Sequence, residues 1–264
     1  CLVVLLRSGF CKIFLRFFIM DKNRAYHMAL LSERAYLPLK AFQKLHTDRR
    51  FNFHSVFYNQ FYTVWTATEL IFVFRGTEIT DFADIKADLK FRLVPVESDG
   101  EAGKVHRGFK KSLDMIWEAI SEDMERLAEG RTVIFTGHSL GAAVATLAFS
   151  RHDDYSAQLY TFGSPRVGNS DYAAVLNFKH GERIFRFRNH NDIVTRHPMS
   201  FWSYRHVGMC FYFGGDGTCV TNPSFWHRLK QFFSGMIEGV LDKKIDSLAD
   251  HSVTNYVRLT RELE

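Results

Sequence analysis

The stretch TVIFTGHSLGAAVATLAF, residues 132–149, decides the fold. Its opening β-branched and aromatic residues predict a buried strand, and its small residues from Leu140 onward predict a helix. Between them, residues 137–141 satisfy the pattern G-x-S-x-G. In so sharp a turn the serine backbone is strained, and its neighbours two places away on both sides must lack bulk. The stretch therefore predicts an exposed nucleophile, Ser139, with the Leu140 amide at a helix N-terminus beside it.

The alternative for this motif is a glycine-rich turn whose serine only caps the helix, and the flanking strand and helix disfavour it. The rest of the chain also alternates strand and helix patterns, which is typical of an α/β fold with a mainly parallel sheet. Strands are predicted over 55–67, 69–76, 157–163 and 183–189. Within residues 21–45, apolar residues recur at helical spacing up to Pro38. Further helices are predicted over 108–130, 223–248 and 250–264.

Composition and charge limit the classes of partner. The 264 residues, of which 46% are hydrophobic, suffice for a sizeable core. No linker, repeat or low-complexity segment interrupts the chain, so we expect a single domain over residues 21–264. The net charge is +5, but the basic residues are scattered among acids, so we expect no nucleic-acid partner.

Residues 1–20 form an apolar and basic leader of uncertain status. Arg7, Lys12 and Arg16 leave no uncharged run longer than six residues, too short for a spanning helix or a clean export signal. Three alternatives stay open: a truncated or foreign leader, a membrane-surface or packing segment, and a degraded export signal. Localisation stays open as well, between the cytoplasm and secretion by a route that the sequence does not reveal.

The four cysteines, at positions 1, 11, 210 and 219, form neither a disulfide scaffold nor a zinc pattern. Cys210 and Cys219 flank a Gly-Gly-Asp-Gly turn, so a disulfide across a hairpin and two free thiols are equal alternatives. No His, Cys and Asp cluster has the spacing of a metal site, and no glycine-rich phosphate cradle occurs. We therefore expect no metal and no cofactor.

A nucleophilic serine needs a base and an acid, which in this architecture follow it in the order Asp or Glu, then His. Asp192 comes just after the predicted strand 183–189, at the same edge of the sheet as Ser139. Of the later histidines, His251 lies in a break between two helix patterns. The others are less suitable: His197 is only five residues after Asp192, His206 lies inside a strand pattern and His227 lies inside a helix pattern.

Several co-linear blocks carry a resemblance over about residues 25–256. They are LIFVFRGTE, GKVHRGF, VIFTGHSLGAAVATL, YTFGSPRVGN, NDIVTRHP, YRHVG and DHSVTNY. In their order and spacing the chain resembles the class 3 lipases, the fungal-type triacylglycerol lipases. The resemblance implies an α/β-hydrolase fold, with a mainly parallel central sheet, helices on both faces and a short helical lid.

By this resemblance Ser139 is the nucleophile, Asp192 the acid and His251 the base, and Thr77 and Leu140 form the oxyanion hole. It implies a serine hydrolase of lipid esters, most closely a triacylglycerol lipase, that forms an acyl-enzyme at a lipid–water interface. A phospholipase or carboxylesterase of the same fold is an alternative, as is a non-catalytic lipid-binding relative. Peripheral contact with a membrane or emulsion is expected, whereas the oligomeric state stays open.

A candidate lid follows Thr77. In residues 78–91 a helical projection places four apolar residues on one side and three aspartates on the other. The apolar residues are Ile79, Phe82, Ile85 and Leu89. The resemblance implies a helix that covers the site in water and opens at lipid. The alternative is an amphipathic helix that packs permanently on the core.

Overall fold

The helices and strands alternate along most of the chain. The computed structural model describes residues 20–47, 49–76, 92–96, 103–224, 226 and 249–263. The helices are α1 (Lys22–Arg34), α2 (Leu39–Leu45), α3 (Arg107–Leu127), α4 (Leu140–His152), α5 (Ser170–His180) and α6 (Val253–Arg261). The strands are β1 (Arg50–Val56), β2 (Asn59–Trp65), β3 (Glu69–Phe74), β4 (Leu93–Pro95), β5 (Lys104–His106), β6 (Thr132–His138), β7 (Gln158–Phe162), β8 (Gly168–Asn169), β9 (Ile184–Asn189), β10 (Tyr204–Arg205), β11 (Met209–Phe213) and β12 (Cys219–Thr221).

The main sheet has eight strands in the order β1-β2-β3-β6-β7-β9-β11-β12. Neighbouring strands from β3 to β11 run parallel, whereas β1, β2 and β12 run antiparallel at the two sides. The parallel strands β3, β6, β7 and β9 therefore end together, and we call that end the carboxyl edge. A second, four-stranded sheet has the order β10-β8-β5-β4. The expected mainly parallel sheet is confirmed.

Helices cover both faces of the main sheet, as expected. On one face α3 and α4 bury an apolar cluster that includes Phe72, Phe135 and Phe149. On the other face α1 and α6 pack against each other and bury a second cluster around Ile134 and Phe162. Strands buried on both faces are expected to be almost continuously apolar, which explains the runs ELIFVF and TVIF.

Local signals explain where the elements begin and end. The predicted strand over 55–67 is wrong as a single element, because Phe57 and Tyr58 form a turn between β1 and β2. The side chain of His106 caps the start of α3, since its Nδ1 accepts from the amides of Gly108 and Phe109 at 3.1 and 3.4 Å.

The predicted helix over 250–264 is present as α6, and the one over 223–248 lies almost wholly outside the described residues. Within the described part of the chain, no helix has the length and apolar character needed to cross a membrane.

Candidate active site

Ser139 alone makes the turn between β6 and α4. Its backbone has φ 59° and ψ −127°, a conformation that residues other than glycine rarely adopt. A Cβ at Gly137 would lie 2.6 Å from the carbonyl carbon of Gly141, and a Cβ at Gly141 would collide with the carbonyl oxygen of Phe74. Both glycines of the motif are thus required by the close approach of α4 to the ends of β3 and β6.

Three side chains from distant parts of the sequence meet at the carboxyl edge. The Oγ of Ser139 lies 2.8 Å from Nε2 of His251, and Nδ1 of His251 lies 3.0 and 2.9 Å from Oδ1 and Oδ2 of Asp192. Asp192 follows the end of β9, and His251 lies in the turn before α6. All three side chains are buried. The result is a continuous chain of hydrogen bonds from a carboxylate through an imidazole to a hydroxyl.

The carboxylate of Asp192 has two further donors. The backbone amide of Val194 donates to Oδ1 at 2.9 Å, and the hydroxyl of Tyr256 donates to Oδ2 at 2.5 Å. The same hydroxyl accepts from the amide of Asn189 at 3.0 Å. Burial, followed by the nearby charge of Asp192, raises the pKa of Tyr256 well above its usual value. Tyr256 therefore stays protonated and remains a donor to the carboxylate.

His138, the variable residue of the motif, holds the backbone at His251. Burial, and then the proximity of His251, lower the pKa of His138 well below its usual value, so its ring is neutral. Its Nε2 lies 2.7 Å from the carbonyl oxygen of His251, and since a carbonyl only accepts, Nε2 carries the proton. Nδ1 then accepts from the hydroxyl of Tyr36 at 3.0 Å. The two imidazole rings lie 4.5 Å apart between centroids.

A third glycine makes room for the side chains of Asp192 and His251. Gly163 follows β7 and has φ +60°. A Cβ there would lie 2.9 Å from Oδ2 of Asp192 and 2.9 Å from Cε1 of His251. The absence of a side chain at this position therefore lets Asp192 and His251 meet over the end of β7.

Comparison with known proteins identifies the family. The model of the family described as Lipase (class 3) matches residues 71–202, which are 132 of the 264 residues. The chain belongs to the class 3 lipase family. The match includes Ser139 and Asp192 and ends before His251.

Individual relatives agree with this family. A secreted mono- and diacylglycerol lipase of Fusarium solani is 34% identical over 131 residues, covering 46% of this chain and 34% of that protein. A phospholipase A1 of Arabidopsis thaliana is 31% identical over 112 residues, covering 39% of this chain and 27% of that protein. Each alignment thus spans about a third of the relative's own length. Lipase II of Rhizopus niveus shares the α/β-hydrolase fold, with a TM-score of 0.61 and 22% identity over 73% of this chain and 82% of that one.

The three residues that the sequence singles out meet at this site, whereas two of the other candidate histidines bond elsewhere. Nδ1 of His197 donates to the carbonyl of Ile193, and Nε2 of His206 donates to that of Thr195. His206 lies in the loop between β10 and β11, so its expected place inside a strand is wrong. His227 and Thr77 lie outside the described residues, as do the four candidate lid residues, Ile79, Phe82, Ile85 and Leu89.

Sequence reasoning missed the roles of Tyr256 and of His138. Tyr256 closes the block DHSVTNY that contains His251, but only the packing of α6 shows that its hydroxyl reaches Asp192.

Leu140, the expected oxyanion donor, is the first residue of α4. Its amide belongs to the helix N-terminus, where amides have no partner within the helix and the dipole favours negative charge.

The two cysteines beside the Gly-Gly-Asp-Gly turn are free thiols. The register of β11 and β12 places Cys219 opposite Phe213, so Cys210 is not its cross-strand neighbour. The alternative of a disulfide is therefore wrong in this structure. Among the described residues, no group of three or more His, Cys, Asp or Glu side chains could hold a metal ion.

Proposed function

We propose that the chain is a serine hydrolase of lipid esters that acts through an acyl-enzyme. The observation that carries this proposal is the unbroken hydrogen-bond chain from Asp192 through His251 to Ser139, built on a strained turn. The turn presents a hydroxyl beside a base and a helix N-terminus, which is the set of groups that acyl transfer requires. Membership of the class 3 lipases supports the same chemistry.

The proposal gives each group a role in the first half of the reaction. Nε2 of His251 takes the proton of Ser139 as Oγ bonds to the ester carbonyl carbon. The carbonyl oxygen becomes an oxyanion, for which the family resemblance implies the amides of Leu140 and Thr77 as donors. When the tetrahedral intermediate collapses, the bond to the leaving alcohol breaks and His251 donates its proton to that oxygen. The acyl group is then an ester of Ser139.

Water completes the cycle by the same path. His251 takes a proton from water as its oxygen attacks the acyl carbon, and the proton then returns to Ser139 as the free acid leaves. Throughout, Asp192 orients the imidazole and stabilises its charged form. Tyr256 and Val194 hold the carboxylate in place, so the acid does not turn away from His251.

Acylglycerols are the substrates that we favour. The relative from Fusarium is named as a mono- and diacylglycerol lipase and a secreted protein, so we also favour secretion for this chain. A phospholipase is the second candidate, because the relative from Arabidopsis is named as a phospholipase A1. A panel of tributyrin, monoacylglycerol, phosphatidylcholine and p-nitrophenyl butyrate separates these from a plain carboxylesterase. The complete hydrogen-bond chain disfavours a non-catalytic lipid-binding role.

The assignment of Ser139 has a direct test with a matched control. Ser139→Ala should remove nearly all turnover and leave about 10³–10⁴-fold acceleration over water, while the protein stays folded. A fluorophosphonate should label the wild type at Ser139 only. Ser32 is also buried but bonds to the carbonyl of Met28, so Ser32→Ala should keep its turnover. A folded Ser139→Ala protein with more than about a tenth of wild-type turnover would contradict the assignment.

We also propose, from sequence, that residues 78–91 act as a lid. An apolar lid face exchanges burial over the site for burial in lipid, at roughly 1.5–3 kcal/mol for each large side chain. The rate on tributyrin should therefore rise sharply when the substrate passes from monomers to emulsion. Phe82→Ser combined with Leu89→Ser should blunt that rise. A rate that saturates smoothly below the solubility limit would instead indicate a carboxylesterase with a fixed helix.

A further inference from the structure

Two pairs of aromatic residues that are adjacent in sequence are exposed and take no part in the site described above. Phe57 is 84% exposed and Tyr58 68% exposed in the turn between β1 and β2. Phe201 is 73% exposed and Trp202 40% exposed in the loop before β10, with their ring centroids 4.8 Å apart. Large apolar side chains in water are a cost unless something contacts them.

The first pair lies at the carboxyl edge of the main sheet. Phe61, near the start of β2, is opposite Phe74 at the end of β3, and Phe74 is opposite Gly137 of the serine turn. The β1–β2 turn precedes Phe61, so it extends beyond the end of β3. Phe57 and Tyr58 therefore lie on the same edge as Ser139.

The second pair lies at that edge too. Trp202 comes two residues before Tyr204, which pairs with Asn169 at the start of α5. Helix α5 runs from the carboxyl edge towards the beginning of β9. The chain after β10 runs alongside α5 in the same direction, because the amide of Gly208 donates to the side chain of Asn177, which lies farther along this helix. The residues before β10, including Phe201, are thus at the carboxyl-edge end of that path.

The backbone at Phe57 shows that the turn itself does not favour an aromatic residue. Phe57 has φ 54°, and of the two turn residues it alone has a positive φ. A positive φ at the first central residue is the pattern of a type II′ turn, in which glycine is the usual residue. A bulky side chain in this conformation is strained. The fold would be better served by glycine, so the phenyl ring needs another explanation.

We propose that these two pairs, the aromatic edge, contact a lipid–water interface and hold the active-site opening towards the lipid. Phe, Tyr and Trp suit this boundary, because their rings leave water while the Tyr hydroxyl and Trp N–H stay hydrated. The aromatic edge comes from two separate elements at the same edge of the sheet as Ser139, so its contact would fix the orientation of the molecule at the interface. The inference rests on the proposed lipid-ester function, and it uses none of the residues of the proposed lid.

Binding to vesicles tests the proposal. The probe is large phosphatidylcholine vesicles, with Ser139→Ala as the background so that no lipid is consumed. Phe57→Gly and Phe201→Ser should each lower the vesicle partition coefficient by roughly tenfold. The matched control is Phe178→Ser, because Phe178 is 93% exposed near the end of α5, at the opposite edge of the sheet. Phe178→Ser should keep the wild-type partition.

Two further measurements exclude simple unfolding. Glycine accommodates a positive φ, so Phe57→Gly should unfold thermally at or above the wild-type temperature. In the active enzyme, the ratio of the rate on emulsified tributyrin to the rate on monomeric p-nitrophenyl butyrate should fall with the partition coefficient.

Unchanged partition of both variants, or an equal loss in Phe178→Ser, would overturn the proposal. Failure of the proposed function is a separate result, since the wild type would then hydrolyse no ester while vesicle binding could still be measured.

Discussion

The hydroxyl of Tyr256 offers a sharp test of how the acid is held. Tyr256→Phe removes the 2.5 Å hydrogen bond to Oδ2 of Asp192 and leaves the amide of Asn189 without its acceptor, and it changes the ring little. A hydrogen bond to a charged group contributes about 1.5–3 kcal/mol, and an unpaired buried amide costs about 1–3 kcal/mol. Because the site is buried, both contributions apply, and the free energy of unfolding should fall by about 2.5–6 kcal/mol.

Activity should respond differently from stability. Asp192 keeps its bonds to His251 and to the amide of Val194, so the imidazole remains oriented. We expect kcat to fall by about tenfold, equivalent to about 1.4 kcal/mol, whereas loss of the acid itself in such enzymes costs about 10⁴-fold. The measurements are urea unfolding and the kinetics of p-nitrophenyl butyrate hydrolysis.

Tyr160 provides the control, because it is also buried and its hydroxyl donates to the neutral side chain of Gln158 at 3.1 Å. Arg24 donates to the same oxygen, so Tyr160→Phe leaves that acceptor with a partner. Tyr160→Phe should lose about 1 kcal/mol of stability and no kcat. The reasoning is refuted if Tyr256→Phe keeps both wild-type stability and wild-type kcat, or if its kcat falls as far as that of Asp192→Asn.

Three further predictions concern the acid, the turn and the capping histidine. Asp192→Asn should lower kcat by about 10⁴-fold at saturating p-nitrophenyl butyrate; a loss below tenfold would contradict its role. Gly141→Ala should lower the urea midpoint of unfolding and the turnover together, because the new Cβ collides with the carbonyl of Phe74; wild-type values for both would show that α4 can shift freely. Burial lowers the pKa of His106 to about 4, so as the pH falls the unfolded chain binds this proton before the folded protein does. The free energy of unfolding should therefore decrease by about 3 kcal/mol in total as the pH falls from 6.5 towards 4. His106→Asn, which retains a side-chain acceptor for the cap, should flatten the pH dependence of unfolding over this window; an unchanged slope would locate the loss elsewhere.

The order of the elements and two of the site residues, Ser139 and Asp192, could be predicted because their signals are local. A strand, a sharp glycine-flanked turn and a helix identify Ser139, and the end of the strand 183–189 identifies Asp192. Spacing alone leaves His251 as one of several histidines, and only the resemblance assigns it as the base. The reason is physical, because His251 reaches the site through the packing of α6 on α1, which leaves no short-range pattern.

What escaped prediction depends on side-chain direction across long separations. Tyr256 and His138 are unremarkable in sequence, yet one bonds to Asp192 and the other to the backbone of His251. The turn at Phe57 was missed for a different reason. Turn signals are glycine, proline and asparagine, whereas Phe57 is an aromatic residue in a conformation that glycine prefers.

The hydrogen bond from His138 to the carbonyl of His251 has a consequence for how the enzyme is assembled and switched off. It joins the residue before the nucleophile to a turn near the far end of the sequence, and the helix that follows that turn packs on the first helix of the fold. Ser139 is in place once β6 and α4 pack, but its hydroxyl has no imidazole beside it until α6 docks. Under the proposed function, detachment of α6 alone would therefore abolish hydrolysis while the central sheet stays folded, so hydrolytic activity would report on the docking of α6.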